Sequence, residues 1–186
     1  MSEENNVPEQ TTNQEAPVPD QALDEVVAAL KQLPILSALL ENAIRPGIDS
    51  VIDGSRAHRW SIDDLEKTEK AYIGTRVEIL VRSALGVEPG KVMDYLIAGH
   101  EVDAKFSIFF GGWMIPQEAV DQICLLIAAE EKTNRFWVGV VRTEEKILRQ
   151  GNNQDKKRSL SAAGRDSVRW LVNEGKLPQN FLQSLP

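Results

Sequence analysis

The chain has 186 residues, of which 42% are hydrophobic and 26% charged, as is typical of a soluble globular domain with a sizeable core. No apolar run approaches the roughly 18 residues of a membrane-spanning helix, and we expect no secretory signal because the N-terminus lacks a basic start and an apolar stretch. The single cysteine, Cys124, excludes an intrachain disulfide and a cysteine-based zinc site, which favours a reducing, cytoplasmic environment.

The formal net charge of −7 is concentrated at the N-terminus. Residues 1–25 contain seven acids and no Lys or Arg, which leaves 21 acids and 21 bases in the remainder. Residues 1–20 are also rich in Glu, Asn, Gln, Thr and Pro, and they cannot bury enough apolar surface to offset the entropy of ordering. The sequence therefore predicts a disordered acidic tail over residues 1–20 and a single domain over residues 21–186. The neutral charge of that domain does not exclude nucleic-acid binding.

Helices are predicted in three parts of the chain. Apolar residues recur at helical spacing over residues 21–43, with a break near Pro34 and an end at residues 45–47. A second helix is expected over residues 61–85, because its first residues have N-cap chemistry and a glycine follows its last. A final helix is expected over residues 161–173.

Strands are predicted in two hairpins. Residues 95–98 and 101–104 form the first, and the apolar runs at residues 123–129 and 136–141 form a buried second one. A short helix is expected to begin at residues 115–118. The mixture of elements predicts an α/β fold, in which a central mixed β-sheet is flanked by α-helices.

The first predicted hairpin carries charged side chains. With a two-residue Gly-His turn, Ala98 faces Glu101 and Asp94 faces Lys105. Because strand side chains alternate, Asp94, Asp103 and Lys105 share one face. Opposed Cβ atoms lie about 5 Å apart and diagonal ones about 7 Å, so two carboxylates and one ammonium are expected to converge.

This cluster has two interpretations that its spacing does not separate. One is a surface ion pair. The other is a site for Mg²⁺, which prefers carboxylate oxygens, carbonyls and water. Held between Asp94 and Asp103, the ion would polarise a phosphate and acidify a water, while Lys105 would orient that water or stabilise developing charge.

A further acid lies on the second predicted helix. Glu78 is either an i,i+4 partner of Arg82 or an acid that points at the sheet, with Gly74 permitting close backbone approach.

Taken together, Glu78, Asp94 and the Asp103-Ala104-Lys105 tripeptide resemble the core of the PD-(D/E)xK nucleases. Over residues 60–175 the sequence is similar to the endonuclease domain of NaeI-type restriction enzymes. The similar stretches are IGTRVEIL, DYLIAGHEVDAKFS, WMIPQEA, CLLIAA and GNNQDKKRSLSAAGR.

The resemblance implies a restriction-endonuclease-like core and Mg²⁺-dependent hydrolysis of phosphodiester bonds in double-stranded DNA. It implies that Asp94 and Asp103 bind the metal, that Glu78 assists them from the helix as a further metal-binding acid, and that Lys105 is the catalytic lysine. Met93 stands where the family usually has proline. NaeI-type enzymes carry a second DNA-binding domain after the nuclease, and we expect that domain to be missing, since few residues follow the last predicted helix.

A polar, basic loop before the last predicted helix is expected to contact DNA. Lys and Arg neutralise phosphates, and Asn and Gln read adenine edges, although a solvated loop and helix face would have the same composition. The candidate DNA-binding residues are Asn152, Asn153, Gln154, Lys156, Lys157, Arg158 and Arg165.

The leading hypothesis is a cytoplasmic type II restriction endonuclease of the NaeI kind. We expect a homodimer, because cutting both strands of a palindrome needs two sites related by a two-fold axis. A cognate DNA methyltransferase would be a further partner. The alternatives are a DNA nicking or mismatch-repair endonuclease, a non-catalytic DNA- or partner-binding module, and an α/β domain with a surface ion pair.

Overall fold

The computed structural model describes residues 19–151 and 153–180. Its centre is a six-stranded sheet in the order β1 to β6, in which β3 and β4 are parallel and all other neighbours antiparallel. The strands are β1 Glu88–Pro89, β2 Tyr95–Ile97, β3 His100–Ser107, β4 Ile123–Glu130, β5 Arg135–Arg142 and β6 Arg169–Lys176. The helices are α1 Gln21–Lys31, α2 Leu36–Asp49, α3 Gly54–Ala57, α4 Lys67–Leu85 and α5 Ala162–Asp166. The predicted mixed sheet with flanking helices is confirmed.

The paired strands β4 and β5 form the buried hairpin that their apolar runs predicted. Strands buried on both faces have continuous rather than alternating apolar sequences. Leu125 and Ile127 point into a core shared with the long helices, whereas Cys124 and Leu126 point into a second core on the opposite face. The sheet therefore separates two apolar layers.

The long helices α1, α2 and α4 pack on the first of these faces. The predicted break near Pro34 is confirmed, because α1 ends at Lys31 and α2 begins at Leu36. Most of the predicted acidic tail, residues 1–18, lies outside the described residues. Asp20 does not belong to a tail, since its carboxylate accepts a 3.0 Å hydrogen bond from the Leu23 N–H and caps α1.

The predicted end of the second helix segment at residues 45–47 is wrong, because Pro46 lies inside α2. Ile44 and Ile48 are both fully buried, one turn apart. Burying one such side chain contributes about 1.5–3 kcal/mol, so the two together contribute about 3–6 kcal/mol, enough to offset the roughly 3 kcal/mol that an internal proline costs. Gly47 lets α2 approach α4 closely, because a Cβ there would lie 2.8 Å from the Val77 Cγ2.

The helix that was predicted to open at Ser61 begins later. A single 3-10 turn occupies Ile62–Asp64, and α4 starts at Lys67 with its own capping box between Glu66 and Glu69. Its predicted end is confirmed, because Gly86 takes the left-handed conformation with φ 65° that a C-terminal glycine favours.

The predicted final helix over residues 161–173 is wrong. Only α5 is helical there, and β6 follows it as the partner of β5. An unpaired edge of β5 would leave a row of backbone hydrogen-bonding groups unsatisfied, and β6 satisfies them. Within β6, Arg169 is exposed and the next three residues are half-buried. Trp170 packs against the second core, and Leu171 and Val172 pack against the first.

Short segments cover the second core. The expected short helix after residue 115 is a 3-10 turn at Gln117–Ala119, and another follows at Glu145–Ile147. Single antiparallel bridges join Ile115 to Arg158 and Leu148 to Leu160. Among the described residues, no helix has the length and apolar character needed to cross a membrane.

Candidate active site

The hairpin of β2 and β3 turns one residue earlier than predicted. Ile97 pairs with His100 and Leu96 with Glu101, so the turn is formed by Ala98 and Gly99, with φ of 51° and 82°. Two positive φ angles are typical of a type I′ turn, whose twist matches that of the strands. The predicted pairing of Ala98 with Glu101 is therefore wrong. Continued outward, the observed register puts Asp94 level with Asp103 rather than with Lys105.

The predicted convergence of the two aspartates and the lysine is nevertheless observed. The Lys105 Nζ lies 2.7 Å from the Asp103 Oδ2 and 3.9 Å from the Asp94 Oδ2. It also donates a 2.9 Å hydrogen bond to the Ala104 carbonyl. Asp94 in turn accepts a 2.9 Å hydrogen bond from the Ala104 N–H, which holds its carboxylate against β3.

Glu78 approaches this cluster from α4. A Cβ added at Gly74, one turn earlier, would meet the Phe106 Cβ at 3.9 Å, so this side of α4 lies over β3. That distance is an ordinary van der Waals contact. Residue 74 therefore does not have to be glycine for α4 to approach β3, in contrast to the predicted close backbone approach. The Tyr95 hydroxyl donates a 2.5 Å hydrogen bond to the Glu78 carbonyl and ties α4 to β2.

The alternative partner for Glu78 was Arg82. Within the described part of the chain, no ion pair joins these two side chains, and the Arg82 guanidinium makes a long 3.5 Å contact with the Asp94 carbonyl. The pKa of Glu78 responds instead to the charges of Lys105, Asp94 and Asp103. The acid therefore points towards the sheet.

Burial and neighbouring carboxylates shift the pKa values of these acids. Burial raises the pKa of Glu78 to about 7, and Asp94 and Asp103 add to this rise while Lys105 opposes it. Burial also raises the pKa of Asp103 to about 6, although the hydrogen bond from Lys105 acts in the opposite direction. Burial disfavours the charge of Lys105, but its hydrogen bond with Asp103 and the neighbouring carboxylates raise its pKa overall. Perturbed carboxyl groups beside a lysine are typical of functional sites.

The oxygens around the Lys105 ammonium form a set suited to a hard cation. They are the carboxylates of Asp103 and Asp94 and the carbonyl of Ala104. Carboxylate and carbonyl oxygens are the ligands that Mg²⁺ prefers, with water completing its shell. The described residues contain no cluster of three or more His, Cys, Asp or Glu side chains in a metal-binding arrangement. A cation here would take ligands from the two aspartates, the carbonyl and water. The Glu78 carboxyl, also predicted to bind the metal, lies in electrostatic range of the two aspartates.

Two residues behind the cluster were not identified as site residues from the sequence. The Cys124 thiol lies 3.7 Å from both the Asp103 Oδ2 and the Thr143 Oγ1. Burial raises the pKa of Cys124 to about 12, so it remains a neutral thiol, as expected from its apolar surroundings. Thr143 also hydrogen-bonds the Ala119 and Gln122 carbonyls. The sequence gives no signal for these contacts, because β3, β4 and β5 must pair before Cys124 reaches Asp103 and Thr143.

The predicted DNA-binding loop lies on the same face of the sheet as Asp103. Leu160, which follows the loop, belongs to the second core together with Cys124, which contacts Asp103. Asn152 lies outside the described residues. The Asn153 side chain accepts hydrogen bonds from the backbone N–H groups of residues 155 and 157 at 3.0 and 2.8 Å and so shapes the loop itself.

The other candidate DNA-binding residues differ in their exposure and in their partners within the protein. Gln154 and Lys156 are exposed, and Lys157 is half-buried. Arg158 forms a bidentate ion pair with Glu145 at 2.5 and 2.7 Å. Arg165, in α5, donates a 3.3 Å hydrogen bond to the Leu160 carbonyl. A DNA phosphate would have to compete with Glu145 for Arg158.

Comparison with known proteins identifies relatives of the whole described domain. Residues 24–186 match a protein family described as restriction endonuclease NaeI. The type II restriction enzyme NaeI of Lentzea aerocolonigenes is 38% identical over 169 residues, which cover 90% of this chain and 53% of that enzyme. The chain thus spans about half the length of this curated relative. The matched region includes every residue of the charged cluster.

Proposed function

Since the chain belongs to the NaeI restriction endonuclease family, we propose that it is an endonuclease that uses Mg²⁺ to hydrolyse phosphodiester bonds in double-stranded DNA. The observation that carries the proposal is the arrangement of Asp94, Asp103 and the Ala104 carbonyl around the Lys105 ammonium, with the Glu78 carboxyl in electrostatic range. These groups combine cation ligands with a positively charged side chain at one place.

The residues present fit the cation, and each would have a separate role in hydrolysis. When bound, a divalent cation polarises a phosphate and lowers the pKa of a bound water. Asp94 and Asp103 would hold it with the Ala104 carbonyl. Lys105 keeps its positive charge at neutral pH, because its carboxylate neighbours raise its pKa, and it would stabilise the charge that develops on the phosphate oxygens. Glu78, with a pKa of about 7, can take up a proton near neutral pH.

DNA would be held by the basic loop on the same face. We assign this role to Asn152, Asn153, Gln154, Lys156, Lys157, Arg158 and Arg165. Phosphate contacts by such residues make affinity fall steeply with salt. A two-fold homodimer would place one site on each DNA strand, and a cognate DNA methyltransferase would protect the host sequence.

Cleavage of DNA tests the proposal. The full chain is incubated with a long unmethylated DNA of varied sequence and with Mg²⁺, and the products are separated on a gel. We expect discrete double-strand fragments from the wild type and from Lys146→Ala, an exposed lysine that pairs with Glu144. Lys105→Ala should lose activity by several orders of magnitude.

Three outcomes would contradict the proposal. Equal cleavage by the wild type and Lys105→Ala would remove the lysine from the mechanism. Relaxed circles from a plasmid, without linear product, would indicate a nicking enzyme. DNA binding without cleavage in Mg²⁺ or Mn²⁺ would indicate a non-catalytic module.

A further inference from the structure

The turn that leads into Asp94 is organised around a single side chain. Glu101 lies on β3 opposite Leu96, and strand alternation places it on the same face as Asp103. Its Oε1 accepts a 2.9 Å hydrogen bond from the Lys91 N–H. Its Oε2 accepts hydrogen bonds from the Val92 and Met93 N–H groups at 3.2 and 2.9 Å. Successive backbone N–H groups of this kind form a nest for an anion, and here the anion is a side chain of the protein itself.

The backbone of this turn is tight enough to require glycine at residue 90. A Cβ at Gly90 would collide with the Glu101 Oε2 and with the Met93 carbonyl. The Gly90 N–H donates a 3.3 Å hydrogen bond to the Asp94 carbonyl, which closes the turn on the residue that carries the site carboxylate. Gly90 and Glu101 are therefore parts of one local structure, which we call the 90–94 turn.

The position of Glu101 suggests two different roles. As an acid on the same face as Asp94 and Asp103, it could be a further metal ligand. However, both of its oxygens already accept backbone hydrogen bonds. Turning towards a cation would break the three hydrogen bonds that hold these N–H groups in the turn. The hydrogen bonds therefore favour a structural role over ligation.

We infer that Glu101 is a positioning residue, which fixes the 90–94 turn and so holds the Asp94 carboxylate at the spacing needed to share a cation with Asp103. Asp94 is then held from two sides: through the turn by Glu101, and directly by the Ala104 N–H at 2.9 Å. The inference about the cation rests on the proposed function, whereas the inference about the turn does not.

The experiment compares Glu101→Ala and Glu101→Gln with Glu88→Gln, an exposed acid on the neighbouring β1. Hydrogen exchange at the amides of residues 91–93 reports on the turn. Binding of Mn²⁺ to the full chain without DNA, followed by loss of the free-ion EPR signal, reports on the cation site. We expect Glu101→Ala to exchange faster at these amides and to bind Mn²⁺ about 10- to 100-fold more weakly, as is typical when the partners of metal ligands are removed.

Glu101→Gln should lie between Glu101→Ala and the wild type in both measurements, because its remaining oxygen can still accept from Val92 and Met93. It also keeps the experiment decisive if the alanine variant fails to fold. Glu88→Gln should match the wild type.

Each contrary result overturns a separate part of the inference. Unchanged exchange in Glu101→Ala would show that the turn does not depend on the carboxylate. Faster exchange with unchanged Mn²⁺ affinity would show that the turn does not set the position of Asp94. Weaker Mn²⁺ binding with unchanged exchange would make Glu101 a ligand. Absence of Mn²⁺ binding in the wild type would overturn the proposed function, whereas normal binding in every variant would overturn only the role of Glu101.

Discussion

Replacing Glu78 with glutamine should stabilise the metal-free protein at neutral pH. The substitution keeps the shape of the side chain and removes a charge that is partly buried between α4 and β3. Burial, with help from Asp94 and Asp103, raises the pKa of this carboxyl group from 4.5 to about 7. A buried charge near other carboxylates is costly, and glutamine avoids that cost.

The size and sign of the effect follow from this pKa. Folding raises the pKa of Glu78, so the folded protein holds the proton more tightly than the unfolded chain does. The resulting stability is fully present below about pH 4.5 and is lost as the pH rises through 7. At about 1.4 kcal/mol per pH unit, this loss approaches about 3.5 kcal/mol well above pH 7. Glu78→Gln should therefore gain up to about 3 kcal/mol of unfolding free energy near pH 8, and little near pH 4.5.

Urea denaturation in EDTA at several pH values between 4.5 and 8 measures the difference. Glu118→Gln is the matched control, because Glu118 is exposed on the 3-10 turn at Gln117–Ala119. The same Glu78→Gln protein should cleave DNA more slowly in Mg²⁺. A gain in stability with a loss of activity is the expected behaviour of a charge that is kept for function. If the stability difference does not grow with pH, or if the variant is less stable at pH 8, the electrostatic reasoning is refuted.

Three further results are expected. Lys105→Met should lose cleavage but bind Mn²⁺ at least as tightly as the wild type in EPR titrations, because the ammonium, 2.7 Å from the Asp103 Oδ2, competes for the same oxygens; weaker binding would contradict this. Mn²⁺ affinity should rise from pH 5 to pH 8, because the cation displaces protons from Asp103 and Glu78, whose pKa values are about 6 and about 7; a flat profile would contradict it. Gly47→Ala should lose about 1–3 kcal/mol in urea denaturation, because its Cβ would overlap Val77; a loss below about 0.5 kcal/mol would show that α2 and α4 can separate.

The sequence correctly predicted that Asp94, Asp103 and Lys105 share one face of the hairpin, although the predicted register of the hairpin was wrong. Asp94 was expected opposite Lys105 and lies level with Asp103, which is a shift of two positions. Strand side chains repeat with period two, so an even shift leaves every residue on its original face. The predicted gathering of Asp94, Asp103 and Lys105 therefore holds, whereas a shift of one residue would have sent Asp94 into the core.

Other features depend on contacts that local sequence does not contain. The segment after α5 was predicted as helix, and it becomes β6 because it pairs with the edge of β5. The buried guanidinium of Arg45 pairs with Asp49 one turn later and, at 2.8 Å, with Glu131 far along the chain; local sequence indicates only the first of these pairs. Glu101 was likewise missed, since its role is visible only once residues 90–94 fold over it.

One interpretation of the cluster was a surface ion pair. It can be tested by comparing the pKa of Asp103 with the pKa of an aspartate in an ion pair elsewhere in the molecule. Asp20 and Arg142 lie 2.8 Å apart, and the hydrogen bond from Arg142 lowers the pKa of Asp20 to about 2. Asp103 has an equally close cation in Lys105, yet its pKa rises to about 6. Asp103 differs from Asp20 first in its deeper burial, which raises its pKa, and then in its neighbour Asp94, which adds to the rise. The charges of Asp103, Asp94 and Glu78 all act on the Lys105 ammonium, and these four groups carry a formal charge of −2 when all are ionised. A divalent cation would supply the two positive charges that the cluster lacks.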